Sequence, residues 1–376
     1  MNKKNHIEAP STPLHCREGR GGGSLIELAD ISRYRGELMG VAILIVVLFH
    51  LTVARQNPFF GLKRMGNLGV DIFFFLSGIG LWFSWTKLMD TQSKRPYFTF
   101  YARRYLRVYP AWLVIACLFY IQDYLGPHKE STSLIDLIGD ITINWDFWLH
   151  DELHFWYVPA TMMLYMFAPF YMNLVRRNPI YCWLPAAMMV WCCMVQWVGP
   201  VHQMVGHLEI FWSRVPIFFI GINVGEMIRQ KQQMEGSSWV LILLLFAMTL
   251  GTCIYLEQVL HGKFPLFIER MIYIPLTISS VLVLTKVFTW LPSWGLRALR
   301  FVGGISLEIY LIHCQFVLLP LEKHKWGYWL TFLACMAITI PLAWGLQKII
   351  KSLTPDPSIP SGARPPVAFP KGEGSK

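Results

Sequence analysis

Two polar residues stand where hydrocarbon would be expected. The apolar run that starts at Met39 ends in His50, and the run that starts at Gly69 carries Asp71 in its first turn. An imidazole and a carboxylate are costly in apolar surroundings, so each calls for a partner or a task. A short basic-polar loop joins the runs, which makes them an antiparallel helical pair. His50 then lies about one turn from the end of the first helix and Asp71 about one turn into the second, at one level. A carboxylate beside an imidazole fixes its tautomer and improves it as a proton acceptor. The same residues serve equally as a structural hydrogen bond, with Asp71 as the acid at a helix N-terminus.

A second constellation is basic. Arg103, Arg104 and Arg107 crowd the stretch before Tyr109-Pro110. Arg104 and Arg107, three apart, share a helical face, and their guanidinium forks match phosphate oxygens. From spacing alone, anchoring of a helix at the membrane face is the simpler account. Other polar residues punctuate apolar stretches: His154, Trp156, Arg214, Glu269, Arg270, Glu308 and His313. Several of them converging would line a cavity, since a lone charge facing lipid is costly. Singly, each fits a packing or interface role, and Trp156 fits an aromatic-belt anchor. No metal-ligand spacing, Gly-rich phosphate loop or serine elbow is present, so the chemistry rests on histidine, acid and arginine.

The elements that must position these groups are membrane helices. Hydrophobic residues make up 54% of the 376 and charged residues 15%. Apolar runs near the ~20 residues that cross a bilayer recur, without the alternation of a membrane barrel. The expected fold is an all-α membrane protein with about ten transmembrane helices, over about 37–54, 68–88, 108–125, 154–174, 180–198, 207–228, 238–256, 266–288, 301–320 and 327–348.

The formal charge of +10 does not point to nucleic acid, because the basic residues collect in alternate loops. Loops 89–107, 175–179, 229–237 and 289–300 are basic, whereas 126–153 is acidic, so both termini are expected in the cytoplasm. Arg55, Lys63 and Arg64 dissent from this pattern, and they would suit an anionic group. Residues 1–34 read as a polar cytoplasmic tail without a cleavable leader, 35–350 as the transmembrane domain, and 351–376 as a disordered cytoplasmic tail. Seven of eight cysteines lie in apolar runs, and no disulfide framework is readable. The oligomeric state is not readable either.

Leu48-Phe49-His50, Gly69-Val70-Asp71-Ile72-Phe73-Phe74-Phe75-Leu76-Ser77-Gly78 and Arg103-Arg104-Tyr105-Leu106-Arg107-Val108-Tyr109-Pro110 together resemble the acyltransferase-3 family. So do His154-Phe155-Trp156-Tyr157-Val158-Pro159 and the stretch Phe301 to His313, in the same order along the chain. The resemblance implies an integral-membrane O-acyltransferase of the plasma (inner) membrane. Such a protein moves acetyl from cytoplasmic acetyl-CoA to hydroxyls of an envelope glycan. It also implies His50 as the catalytic histidine and Arg104 with Arg107 as the family's Arg-x-x-Arg pair. Two departures stand out. Met39 occupies the position eleven before the histidine where the family carries Arg or Lys, and Arg35 lies one turn earlier. Trp156 is not followed by the acids of many members, which resembles the branch with surface-polysaccharide modifiers.

The expected division of labour is therefore graded along the membrane normal. Arg35, Arg103, Arg104 and Arg107 take the CoA phosphates. His50 and Asp71 carry the chemistry, and His154, Trp156, Arg214, Glu308 and His313 line the acceptor site. No metal is called for; the partners are membrane lipid and the glycan. The rival is a secondary transporter or glycan flippase, whose path would use the same buried charges. The sequence lacks the paired, matching broken helices that would favour it.

Overall fold

The computed structural model describes residues 26–126 and 133–354. The expected N-terminal tail before residue 26, residues 127–132 of the acidic loop and the C-terminal tail beyond Thr354 lie outside it. The first helices are α1 (Ala29–Arg33), α2 (Arg35–His50), α3 (Phe60–Arg64), α4 (Leu68–Asp90) and α5 (Pro96–Leu125). Two short helices, α6 (Leu134–Ile143) and α7 (Trp145–Leu149), follow. Next come α8 (Tyr157–Arg177), α9 (Leu184–Trp197), α10 (Gly199–Val205), α11 (Glu209–Trp212) and α12 (Val215–Arg229). The chain closes with α13 (Ser238–Gln258), α14 (Leu266–Phe288), α15 (Ser293–Gly304), α16 (Ser306–Ile312), α17 (Leu319–Glu322) and α18 (Tyr328–Leu353). A π-helical turn, His313–Leu318, links α16 to α17.

Among the described residues, seven helices are long and apolar enough to cross a membrane, or up to nine if each of two bent pairs forms one span. The all-α membrane fold is as expected, with two of the expected spans bent rather than continuous. One bend, 42°, falls at Ser213-Arg214 before α12, and the other, 60°, at Ile305 between α15 and α16. The first apolar run folds into only sixteen helical residues. At 1.5 Å per residue α2 is roughly 24 Å long, short of a ~30 Å hydrocarbon core. It is enclosed by protein instead, with Leu38, Ile43 and Val47 fully buried.

Glycine makes that enclosure close. A Cβ on Gly40 would collide with the carbonyl of Leu299 in α15, and one on Gly303 with the carbonyl of Gly36. On the other flank, Gly69 of α4 lies against the carbonyl of Ala42. Gly40→Ala is expected to force α15 off α2 and lower stability by about 1–3 kcal/mol. Thermal unfolding in detergent checks it, with Gly251→Ala as control, since a Cβ there meets nothing within 4 Å.

Three boundaries are corrected. The helix bearing the arginines starts at Pro96 rather than 108, so Arg103, Arg104 and Arg107 ride within α5, not in a loop. Residues 28–34 are not a free tail: Leu28, Ile31 and Tyr34 are buried, and strand β1 (Ile26–Glu27) pairs antiparallel with β2 (Gln233–Met234). At the other end α18 runs to Leu353, past the expected boundary at 350. The acidic loop also has structure. Asn144, in the left-handed region, caps α7 and accepts from the Tyr120 hydroxyl at 3.0 Å, while Trp112 donates to the Ile141 carbonyl.

Candidate functional site

A cavity of about 260 Å³ runs between α2, α4, α5, α8, α16 and α18. One end is basic, with Arg35, Arg104, Arg107 and Lys351 facing it against the single carboxylate of Glu308. Further along the same helices its wall becomes Val46, Phe73, Ser77, Tyr157 and Tyr310. Arg35 and Met39, one turn apart on α2, both line it. The cation missing at Met39 is thus present one turn earlier. Room for it comes from Gly80 of α4, where a Cβ would lie 3.0 Å from the Arg35 guanidinium. Arg103, 100° around the helix from Arg104, does not line the cavity. The Nε atoms of Arg35 and Arg104 are buried and make no hydrogen bond, which leaves directed N–H groups for an anionic ligand.

Beyond Val46 lies His50, the last residue of α2. Its Nδ1 is 2.8 Å from the Val46 carbonyl oxygen and 3.4 Å from Nε2 of His313. The two rings meet edge-on with centroids 5.0 Å apart. Nδ1 of His313 in turn reaches the carbonyls of Ile309 (3.0 Å) and Tyr310 (2.9 Å). A carbonyl only accepts, so Nδ1 carries the hydrogen in both rings. In neutral His50 the lone pair therefore sits on Nε2, where a general base needs it.

Asp71 is elsewhere. Its carboxylate lies 3.8 Å from Nη2 of Arg214, whose side chain is fully buried at the bend before α12. Arg214 also donates to Asn67 Oδ1 (3.2 Å) and Ser213 Oγ (3.0 Å) and lies over the Trp156 ring at 5.4 Å. The expectation that Asp71 orients His50 is therefore corrected: Gly66 meets Ile45 and Phe49, and Gly69 meets Ala42, so Asp71 lies further back along α2 than His50, and its carboxylate faces the buried cation at the bend before α12.

The remaining expected acceptor residues scatter. Trp156 is buried against Phe74 and Phe147, which removes it from an aromatic belt. His154 packs on Phe119, 4.0 Å from Glu152. Glu308 lines the basic end of the cavity, not its far wall. Arg64 is paired with Glu257 at 3.0 Å rather than free for an anion. Sequence reasoning passed over Ser77, Tyr157, Tyr165 and Tyr310. All but Tyr165 lie inside the quoted motifs, and that was the available signal.

The acyltransferase domain matches residues 38–348, from the second turn of α2 to the last turns of α18. The chain belongs to the acyltransferase-3 family. Its matched domain is an acyltransferase domain, carried on helices long and apolar enough to cross a membrane several times. It is similar to "Regulator of hypoxia-inducible factor 1" of Caenorhabditis elegans, 32% identical over 136 residues, or 33% of this chain. That match spans 27% of the nematode protein, about a quarter of its length. No solved structure matches.

Proposed function

We propose that this acyltransferase moves an acyl group, acetyl in the simplest case, from cytoplasmic acyl-CoA to a hydroxyl of a cell-envelope glycan at the plasma membrane. The observation that carries the reading is the graded cavity: four cations at one end, and a far wall one helical turn from His50. Arg35 and His50 are fifteen residues apart on α2, roughly 22 Å, a span suited to an extended pantetheine arm. Arg35, Arg104, Arg107 and Lys351 would hold the phosphates, and the donor supplies an acyl carbon activated as a thioester.

The chain's own chemistry centres on Nε2 of His50. It takes the proton of the acceptor hydroxyl as that oxygen attacks the acyl carbon, and returns it to the sulfur as the C–S bond breaks. Carrying the acyl group on Nε2 itself would use the same lone pair.

Arg35→Gln and Arg104→Gln, each made singly, are expected to raise the KM for labelled acetyl-CoA by about 10–100-fold, since a charge-assisted hydrogen bond is worth about 1.5–3 kcal/mol. Label reaching the glycan fraction of membrane vesicles is the readout. An unchanged donor KM would remove these arginines from the donor site. A transport reading draws support from the two bent helix pairs, one with Arg214 at its break. It predicts that unacetylated glycan crosses vesicles carrying the protein without any label transfer.

A further inference from the structure

We infer that His313 is the positioning residue of His50, filling the place that the sequence suggested for Asp71. This rests on the reading of His50 as the base. Three observations bring the two rings together from positions 263 residues apart. The 60° bend at Ile305 redirects α16 across α2, and the π-helical turn begins at His313 itself. Such a turn shifts side-chain register locally and recurs at functional sites. Past the rings, Glu322 clasps Thr52, accepting from its backbone N–H at 2.6 Å and its hydroxyl at 3.0 Å. Tyr328 also donates to the Leu48 carbonyl. The end of α2 is thereby fastened to the segment that carries His313.

The chemistry follows from the tautomers. His313 gives its only N–H to two carbonyls, so its Nε2 is an acceptor aimed at the Nδ1–H of His50. At rest that N–H is shared between Val46 and His313, and the His313 contact is long. When Nε2 of His50 takes the acceptor's proton, the ring becomes cationic and the hydrogen bond to His313 becomes charge-assisted, roughly twice as strong. The interaction grows in the transition state, which is the kind that raises kcat. A neutral imidazole, 1% exposed, does this without the second buried counter-charge that a carboxylate would require.

The test compares His313→Leu, which removes the acceptor, with His313→Gln, whose amide oxygen can replace Nε2. Transfer from labelled acetyl-CoA in membrane vesicles should lose about tenfold in kcat in the Leu variant, with donor KM unchanged. The Gln variant should recover most of it. The loss stays modest because Val46 still holds the tautomer. Independently of turnover, diethyl pyrocarbonate modification of His50, read by mass spectrometry, should slow severalfold in His313→Leu and recover in His313→Gln. A Leu variant unchanged by both measures overturns the inference, and so does a Gln variant as impaired as Leu, which would mean packing alone. His50→Ala, measured alongside, separates the two claims. Native activity in that variant defeats the base assignment, whereas its loss beside a normal His313→Leu defeats only the positioning role.

Discussion

His50→Ala should reach the membrane folded and transfer acyl groups about 10²–10⁴-fold more slowly than the native protein, the range a general base supplies. Folding is spared because the ring sits half-buried at the last residue of α2, where its removal opens no core position. Donor binding is spared too, because the cations face the opposite end of the cavity. The variant should therefore bind acetyl-CoA with native affinity and release acetylated product only at that reduced rate. Labelled transfer and equilibrium binding on the same preparation distinguish this outcome from misfolding. Native transfer by His50→Ala would place the chemistry elsewhere in the bundle.

Asp71→Ala is expected to act on stability. It strands Arg214 as an unpaired charge with no exposure to solvent, and breaking a buried ion pair from one side costs about 3–5 kcal/mol. Removing both charges together is a different perturbation. Asp71→Leu with Arg214→Met replaces the pair by apolar groups of similar bulk and should recover most of the lost stability. Thermal unfolding of the single and double variants in detergent reads the difference. A single variant that melts normally yet fails to transfer acyl groups would return Asp71 to the side of His50 and sink the geometric account.

These two expectations show how legibility divided. Membrane character was readable because hydropathy is a local property summed along the chain, and so were the arginine face and the polar positions inside apolar runs. The span count was less so. An apolar run ending in His50 reads as a span whether its helix crosses lipid or is walled in by protein, and only the glycine contacts with α4 and α15 decide that. The bends at Arg214 and Ile305 have Pro216 and Gly303-Gly304 beside them, but Pro110 and Pro169 sit inside unbroken helices, so such residues do not by themselves mark a break. Met39 looked like a missing cation because spacing was compared at one position. A long arginine side chain one turn away fills the same wall once α4 offers a glycine beside it.

The sequence by itself determined the fold class, the family and the residues at which chemistry is possible, because residue type, hydropathy and short-range helical spacing are written in the chain. Which side chain meets which was decided only by the tertiary structure. Asp71 and His50 are close in sequence, yet their partners are Arg214 and His313, hundreds of residues away in the second case. The turn that joins a helical hairpin sets neither the level at which two residues meet nor the rotation of each helix. Rotation is set by what packs against every face at once.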